Sequence, residues 1–468
     1  MNGEKVLFTV GTDEHGEKIA ESAKKANLPP QEYVDGMSKE FRSLMDLAHI
    51  SYDRFIRTSD KDHVHAAQHF FQQMWDKDDI YPDLYEGWYC ISDETFWTEK
   101  DTVENNGKRY CPSEHCGKEL KKVKEESYFF KWSAYQKQLE QWYVQSPHNV
   151  FPEFRKNEMK NFLAQGLRDI SFSRKTLTWG IQTPVNKEHT IYVWGDALVN
   201  YLTAAGYPDK KYHDAWPADV HVIGMDINRF HSLLWPAMLM SAGVELPKQV
   251  LVHGFVNDEN GIKMSKSMGN VIDPLVLIPK YGIEPIRYYL LRESPLGNDL
   301  SFSEKNLIER TNSELADGLG NLVFRVLSMI EKYGNGKTPQ VELDQRVTSE
   351  ARGFAQEAYR LYLQHDIQNA LIQTWKIVNL GNKFITEKEP WRLMKEGKRE
   401  EVEQLLLTEV ELIRLISILI QPVLPQTCEK ISAQFGFALP SFKQLSTQGE
   451  IGNKPIKKGV VLFVKKEA

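Results

Sequence analysis

The sequence predicts an α/β protein: a parallel-sheet domain that carries a small connective insertion and is followed by an α-helical bundle. Three observations predict it. Short β-branched runs, "VLFTV" (6–10), "DVHVIG" (219–224) and "QVLVHGFV" (249–256), alternate with helical pattern, as in a parallel sheet with crossover helices. Between 83 and 150 the texture shifts to glycines, aromatics and three of the four cysteines. Beyond about residue 305 strand patterning stops and apolar residues recur at helical spacing.

The first run ends at Gly11, and Asp13, Glu14 and His15 follow at the start of a helical stretch. Open α/β sheets place ligands there, at the carboxyl ends of their strands. "DHVHAAQHFFQQMW" (62–75) reads as a helix, while "YEGWYC" (85–90) and "ESYFFKW" (126–132) mark the compact insertion. "TIYVW" (190–194) reads as a returning strand. Leu315, Leu319, Leu322, Val326 and Ile330 form one stripe of a helix, "KYGNGKTP" (332–339) is a loop, and a long apolar-faced helix near 402–420 is closed by Pro422 and Pro425. The expected divisions are 1–82 and 151–304 for the two parts of the sheet domain, 83–150 for the insertion and 305–468 for the bundle.

Bulk properties narrow the class. At 468 residues the chain exceeds one ordinary core. With 41% hydrophobic and 26% charged residues it has the composition of soluble globular proteins, and a net charge of −6 gives no global pull toward DNA or other nucleic acid. No apolar run approaches the roughly 18 residues that a membrane span needs, and no signal-peptide pattern opens the chain. Four cysteines, Cys90, Cys111, Cys116 and Cys428, make no disulfide framework, so a reducing compartment, the cytoplasm or an organelle matrix, is expected.

The most informative stretch is "GIKMSKSMGN" (261–270). It sets Lys263 and Lys266 among Met264, Ser265 and Ser267 between two glycines, after one strand and before a helix. In that setting a Lys/Ser/Gly loop is a candidate polyphosphate site. "KMSKS" is the signature loop of class I aminoacyl-tRNA synthetases. With "GTDEHG" (11–16), "YVWGDALVNYLTAAGY" (192–207), "HVIGMDINRFHSLLWPAMLMSAG" (221–243) and "VHGFVNDENGIKMSKSMGNVIDP" (252–274), the chain resembles the methionyl-tRNA synthetase family, in order and from residue 1 to about 430.

The resemblance implies a Rossmann-type catalytic domain and an anticodon-binding bundle. It implies ATP-dependent activation of L-methionine, transfer to tRNA(Met) and magnesium with the ATP; because the sequence ends near the bundle without an appended tRNA-binding or dimerisation domain, a monomer is expected. Catalysis in such a site is mostly positioning and charge stabilisation. By similarity Asp13 holds the substrate ammonium, and Trp194, Ala197, Leu198, Tyr201 and His231 form the methionine pocket, whose aromatic and aliphatic walls suit a thioether. Asp226, with Lys263, Met264, Ser265, Lys266 and Ser267, is assigned to ATP, the two lysines as catalytic groups. Asn321, Arg325, Pro390 and Trp391 are assigned to a CAU anticodon, by base-edge hydrogen bonds and stacking.

Departures from the family pattern carry expectations of their own. Gly195 stands where a bulky residue is usual, which loosens the pocket wall, and Met225 stands where a lysine is common, which removes a cation beside the nucleotide. The insertion lacks one regular Cys-x-x-Cys pair, so a zinc site would have to recruit Asp93 or His115, and a metal-free knuckle is expected. No His-x-Gly-His occurs in the 468 residues, and "MNGEKV" fits the family's approach to its second strand. An N-terminally truncated synthetase that adenylates poorly is therefore expected, with a non-catalytic tRNA-binding protein as the second reading. A synthetase for leucine, isoleucine, valine or cysteine ranks third.

Overall fold

A computed structural model of the chain describes residues 3–113, 116–265, 269–439, 441–459 and 461–467. It divides into two compact units, Val6–Gly254 and Phe255–Ala468 with the first five residues.

In the first unit β1 (Thr9–Thr12) pairs in parallel with β2 (Arg54–Arg57), Thr9 opposite Arg54. The crossover is made by α1 (Glu17–Lys25) and α2 (Pro30–Leu47), and α3 (Lys61–Asp76) follows β2. The insertion is antiparallel: β3 (Ile80–Cys90) and β7 (Lys121–Phe130) pair along their length, flanked by β4 (Thr95–Trp97) and β9 (Ile170–Ser171), while β5 (Val103–Asn105) and β6 (Lys108–Tyr110) make a hairpin. Its sheet thus begins before residue 83 and closes beyond residue 150. A second parallel piece runs in the order β12 (His221–Gly224), β13 (Val250–His253), β8 (Val150–Phe151), with α4 (Gln136–Gln145), α5 (Glu153–Ala164) and α8 (Trp235–Ala242) packed around it.

Two sequence expectations change here. Residues 6–8 form no strand, and Val6, Leu7 and Phe8 are exposed. "TIYVW" is a strand only at β11 (Thr190–Ile191), which pairs with β10 (Ser173–Arg174). The chain then turns into α6 (Val193–Ala197) and α7 (Asn200–Ala205), so Trp194 is helical. The alternation of a buried aromatic and a valine fits a helix turn as well as a strand over so short a run. Among the described residues β1 pairs on one edge only, as does β12, where Val222 is 63% exposed. Parallel strands ordinarily have both faces covered.

In the second unit β14 (Val256–Asn257) pairs with β15 (Leu300–Ser301), and α9 (Pro274–Tyr281), α10 (Ile283–Glu293) and α11 (Glu304–Arg310) lead into a π-helical turn at Thr311–Gly320. The bundle proper is α12 (Asn321–Tyr333), α13 (Gln345–Leu363), α14 (Ile367–Lys388), α15 (Pro390–Lys395), α16 (Arg399–Ile420) and α17 (Pro425–Phe435). The predicted stripe of Leu315, Leu319, Leu322, Val326 and Ile330 is wholly buried. The long helix α16 buries every residue from Leu405 to Ile420, not one face, because it is the central rod of the bundle.

Candidate functional site

The loop after β1 is held by its middle residue. Glu14 is 2% exposed and accepts from Arg57 Nε (2.8 Å) and Nη2 (3.0 Å) on β2, while its own N–H donates to Thr58 Oγ1 (2.9 Å) and its carbonyl accepts from Trp179 Nε1 (2.7 Å). Sequence reasoning left Glu14 without a role; an Arg at the end of the neighbouring parallel strand was the available signal. The loop is also tied to the insertion. Glu94 lies where any side chain on Gly16 would be, and its carboxylate accepts from the Lys18 N–H at the start of α1.

With the loop pinned, His15 points inward and its Nδ1 meets Asp196 Oδ2 at 2.7 Å. Asp196 Oδ1 meets His63 Nε2 at 2.7 Å, and His63 Nδ1 meets Thr203 Oγ1 at 3.0 Å. Asp196 and His63 are fully buried. Burial works against the charge on Asp196, but His15 and His63 outweigh it and lower its pKa; burial likewise opposes the charge on His15, and Asp196 outweighs it and raises the His15 pKa. Asp13 lies beside this network. It is exposed, yet the groups packed around its carboxyl cost it hydration, and this, with the charge of Asp196, raises its pKa to about 7.

Asp196 also belongs to α6, two residues from Trp194, so one short helix joins the Asp196–histidine network to a cluster of aromatic side chains. The Trp194 ring stacks on Phe230 (4.1 Å between centroids, 8° between planes) and meets His231 edge-on at 6.2 Å. Its indole Nε1 is buried and has no hydrogen-bond partner. Tyr201 Oη lies 2.7 Å from His231 Nε2, and His231 Nδ1 lies 3.0 Å from the Ile227 carbonyl. The carbonyl can only accept, so Nδ1 carries the proton and Tyr201 donates to Nε2. Burial lowers the His231 pKa to about 4, which keeps the cluster uncharged at neutral pH. Ala197 and Leu198 are buried on the same turn.

Both departures from the expected pattern have neighbours. A Cβ on Gly195 would lie 2.5 Å from Phe172 Cζ, so the Phe172 ring fills the space a bulkier residue would take, and the wall is not loosened. Met225 Sδ lies 3.2 Å from Arg155 Nη2, so a guanidinium from α5 stands beside the position where the lysine is missing. Asp226 is exposed on the turn Met225–Ile227 directly after β12, at the carboxyl end of a parallel strand.

In the second unit the Lys/Ser/Gly loop is framed by Asp258 and Asn270. Asp258 Oδ1 accepts from the N–H groups of Asn260 (3.0 Å) and Ile262 (2.9 Å), Asn270 Nδ2 donates to Asp258 Oδ2 (2.8 Å), and Ser265 N–H donates to Asn270 Oδ1 (2.9 Å). Gly261 and Gly269 have φ of 76° and 68°, a conformation that strains other residues. Lys263 Nζ lies 4.4 Å from the centre of the Phe255 ring. Lys266 and Ser267 lie outside the described residues, and Met264 and Ser265 sit on the described shoulder of the loop.

On the bundle, Asn321 is exposed, and Arg325, one turn on, donates to Asn382 Oδ1 of α14 at 3.4 Å. Trp391 is 45% exposed, whereas Pro390 is buried at the first position of α15. Glu389, just before them, takes φ 47°, which turns the chain sharply from α14 into α15.

In the insertion Cys90, Asp93, Cys111 and Cys116 converge, their ligand atoms all within 4.8 Å of one another. Cys90 Sγ is 3.5 Å from Cys116 Sγ, and Cys111 Sγ is 3.2 Å from Asp93 Oδ2. A zinc ion with Zn–S bonds of about 2.3 Å spaces its tetrahedral ligands roughly 3.5–3.8 Å apart, so this donor set fits zinc. The regular pair absent from the sequence is replaced through the fold by Asp93; His115 lies outside the described residues.

The family profile described as "tRNA synthetases class I (M)" matches residues 1–327, and the profile "Anticodon binding domain of methionyl tRNA ligase" matches residues 339–452. The chain belongs to the methionyl-tRNA synthetases. It is 44% identical to the methionine–tRNA ligase of Caldanaerobacter subterraneus subsp. tengcongensis over 99% of this chain and 73% of that protein. The Bacillus subtilis methionine–tRNA ligase is 42% identical over 100% of this chain and 73% of its own. Among solved structures, Mycobacterium tuberculosis methionyl-tRNA synthetase bound by methionyl-adenylate superposes with a TM-score of 0.94 at 37% identity, covering 98% of this chain and 92% of that one. The chain is thus an aminoacyl-tRNA ligase of the methionine type, with a class I Rossmann-like catalytic part and a helical anticodon-binding part.

Proposed function

We propose that this synthetase binds L-methionine in its first unit, with Asp13 on the ammonium group and Trp194, Ala197, Leu198, Tyr201 and His231 around the thioether. The observation that carries this reading is α6, which brings Asp196, the neighbour of Asp13, and Trp194 onto one turn. A charged head beside an uncharged aromatic sleeve is the shape of methionine's chemistry. Asp226 accepts from the ATP ribose hydroxyls, and Lys263 and Lys266, with Met264, Ser265 and Ser267, neutralise the phosphates as the carboxylate attacks the α-phosphorus and pyrophosphate leaves. Magnesium accompanies those phosphates. The terminal ribose hydroxyl of tRNA(Met) then takes the methionyl group, while Asn321, Arg325, Pro390 and Trp391 read the anticodon. The chain acts as a monomer; no described helix is long and apolar enough to cross a membrane.

Methionine-dependent ATP–pyrophosphate exchange tests this reading: Lys263→Ala is expected to slow it by about 10²–10³, the usual cost of losing one group that stabilises charge in the transition state. Exchange absent from the wild type, with tRNA binding intact, would favour the non-catalytic tRNA-binding reading instead.

The Cys90, Asp93, Cys111, Cys116 cluster would hold zinc as a structural clamp on the insertion, far simpler in chemistry than the reaction itself. Purified chain is expected to carry about one zinc, and Cys111→Ser to lose it together with the fold of the β5–β6 knuckle. Full stability after removal of metal with a chelator would sink this assignment.

A further inference from the structure

His221 opens β12 and is 3% exposed, yet it belongs neither to the Asp196 network nor to the residues assigned to the thioether. A polar, ionisable ring loses hydration in such a place, so it stands there only if its neighbours use it. Two of them do. The indole Nε1 of Trp235, at the start of α8 and fully buried, donates to His221 Nε2 at 3.3 Å. The Tyr201 ring lies against the imidazole, with 4.1 Å between centroids and 35° between planes.

These contacts determine the state of the ring. An indole N–H can only donate, so His221 Nε2 accepts and the proton of the neutral ring is on Nδ1. A second proton would set one N–H against another, with the His231 ring centre only 6.4 Å away. Burial, with His231, accordingly lowers the His221 pKa to about 3. Trp216 packs on the imidazole as well, at 5.9 Å and 41°, its own indole N–H being held by the Glu245 carbonyl at 2.8 Å. His221 is thus a neutral plate whose rotation Trp235 fixes. Imidazole does both jobs at once: phenylalanine would keep the plate but strand the indole N–H, and glutamine would keep the acceptor but remove the plate. Tyr201 has use for a plate, because it is only partly buried and its 2.7 Å contact with His231 Nε2 requires the phenol to hold one tilt.

We propose that His221 is a positioning residue for methionine: held by Trp235, its ring sets the tilt of Tyr201 and thereby the width of the space left for the thioether. His221 touches no substrate and acts only through Tyr201. The inference rests on the assignment of Tyr201 and His231 to the methionine side chain.

The test is equilibrium dialysis of L-methionine, and of L-ethionine with its one extra methylene, against the full chain, together with thermal melting. His221→Gln is expected to weaken methionine binding by about two- to tenfold, the scale of one aromatic pair, and to narrow the preference for methionine over ethionine. His221→Phe is expected to recover both while melting lower than wild type, since Trp235 loses its acceptor. Binding then follows the ring and stability follows the acceptor, a split that a merely structural histidine would not give. Added to Tyr201→Ala, His221→Gln is expected to weaken binding no further. Wild-type affinity and preference in His221→Gln, an equal binding loss in His221→Phe, or an additive loss in the double variant would each overturn the inference. Tyr201→Ala separates the two claims. If it binds methionine as the wild type does, or if the wild type binds none, the methionine assignment itself falls; if it binds weakly while His221→Gln does not, the inference alone falls.

Discussion

Asp196→Ala is expected to destabilise the first unit by about 3–5 kcal/mol, the range seen when one partner of a buried ionic network is removed. Asp196 is fully buried and bonds His15 and His63 at once, and those imidazoles come from the loop after β1 and from α3. Alanine would leave His63, itself fully buried, with a stranded nitrogen, and would release the His15 ring from its anchor on α6. The pH dependence has a definite sign. Asp196 has a lowered pKa, so its contribution is present above the unfolded value of 3.8 and is lost as pH falls through the folded one. His15 has a raised pKa, so its contribution is present below the unfolded value of 6.5 and fades as pH rises through the folded one. Wild-type stability should therefore peak between acid and neutral pH, and the variant's curve should be flatter. Chemical denaturation across pH checks both; equal stability of the two proteins near pH 6 would contradict the network's role.

Asp13→Asn is expected to weaken binding of a non-hydrolysable methionyl-adenylate analogue by about 10²–10³-fold, because a desolvated ammonium loses its counter-charge while its geometry is preserved. Binding is the appropriate readout, since it separates recognition of the ammonium from the chemical step. In the wild type only ionised Asp13 serves, and its pKa is raised to about 7. Affinity should accordingly fall as pH drops below about 7, and this dependence should vanish in Asp13→Asn. A neutral substrate analogue without the amino group should show neither effect. Retained affinity in Asp13→Asn would remove the residue from the ammonium site.

Much of this was legible in order along the chain. The alternation of β-branched runs and helices, the helical stripe from Leu315 to Ile330 and the "KMSKS" string are local patterns, and local patterns determine element type, fold class and, through the motifs, the family. The same strings supplied Asp13, Trp194 and His231. What lay beyond them depends on partners distant in sequence. Phe172 fills the space left by Gly195, Arg155 stands beside Met225, and of the two extra donors the sequence offered, Asp93 is brought by the fold to the three cysteines. Each is a through-space substitution that leaves no periodic trace.

"TIYVW" fails for a related reason: a five-residue run cannot say whether its aromatics face a sheet or a helix neighbour until the rest of the core exists. The sequence by itself thus determined which chemistry this protein carries, because reacting groups travel in short strings. Only the tertiary structure decided the charge states around that chemistry, the neutral His231 and the raised Asp13. Protonation follows burial and neighbouring charge, and both are properties of the packed chain.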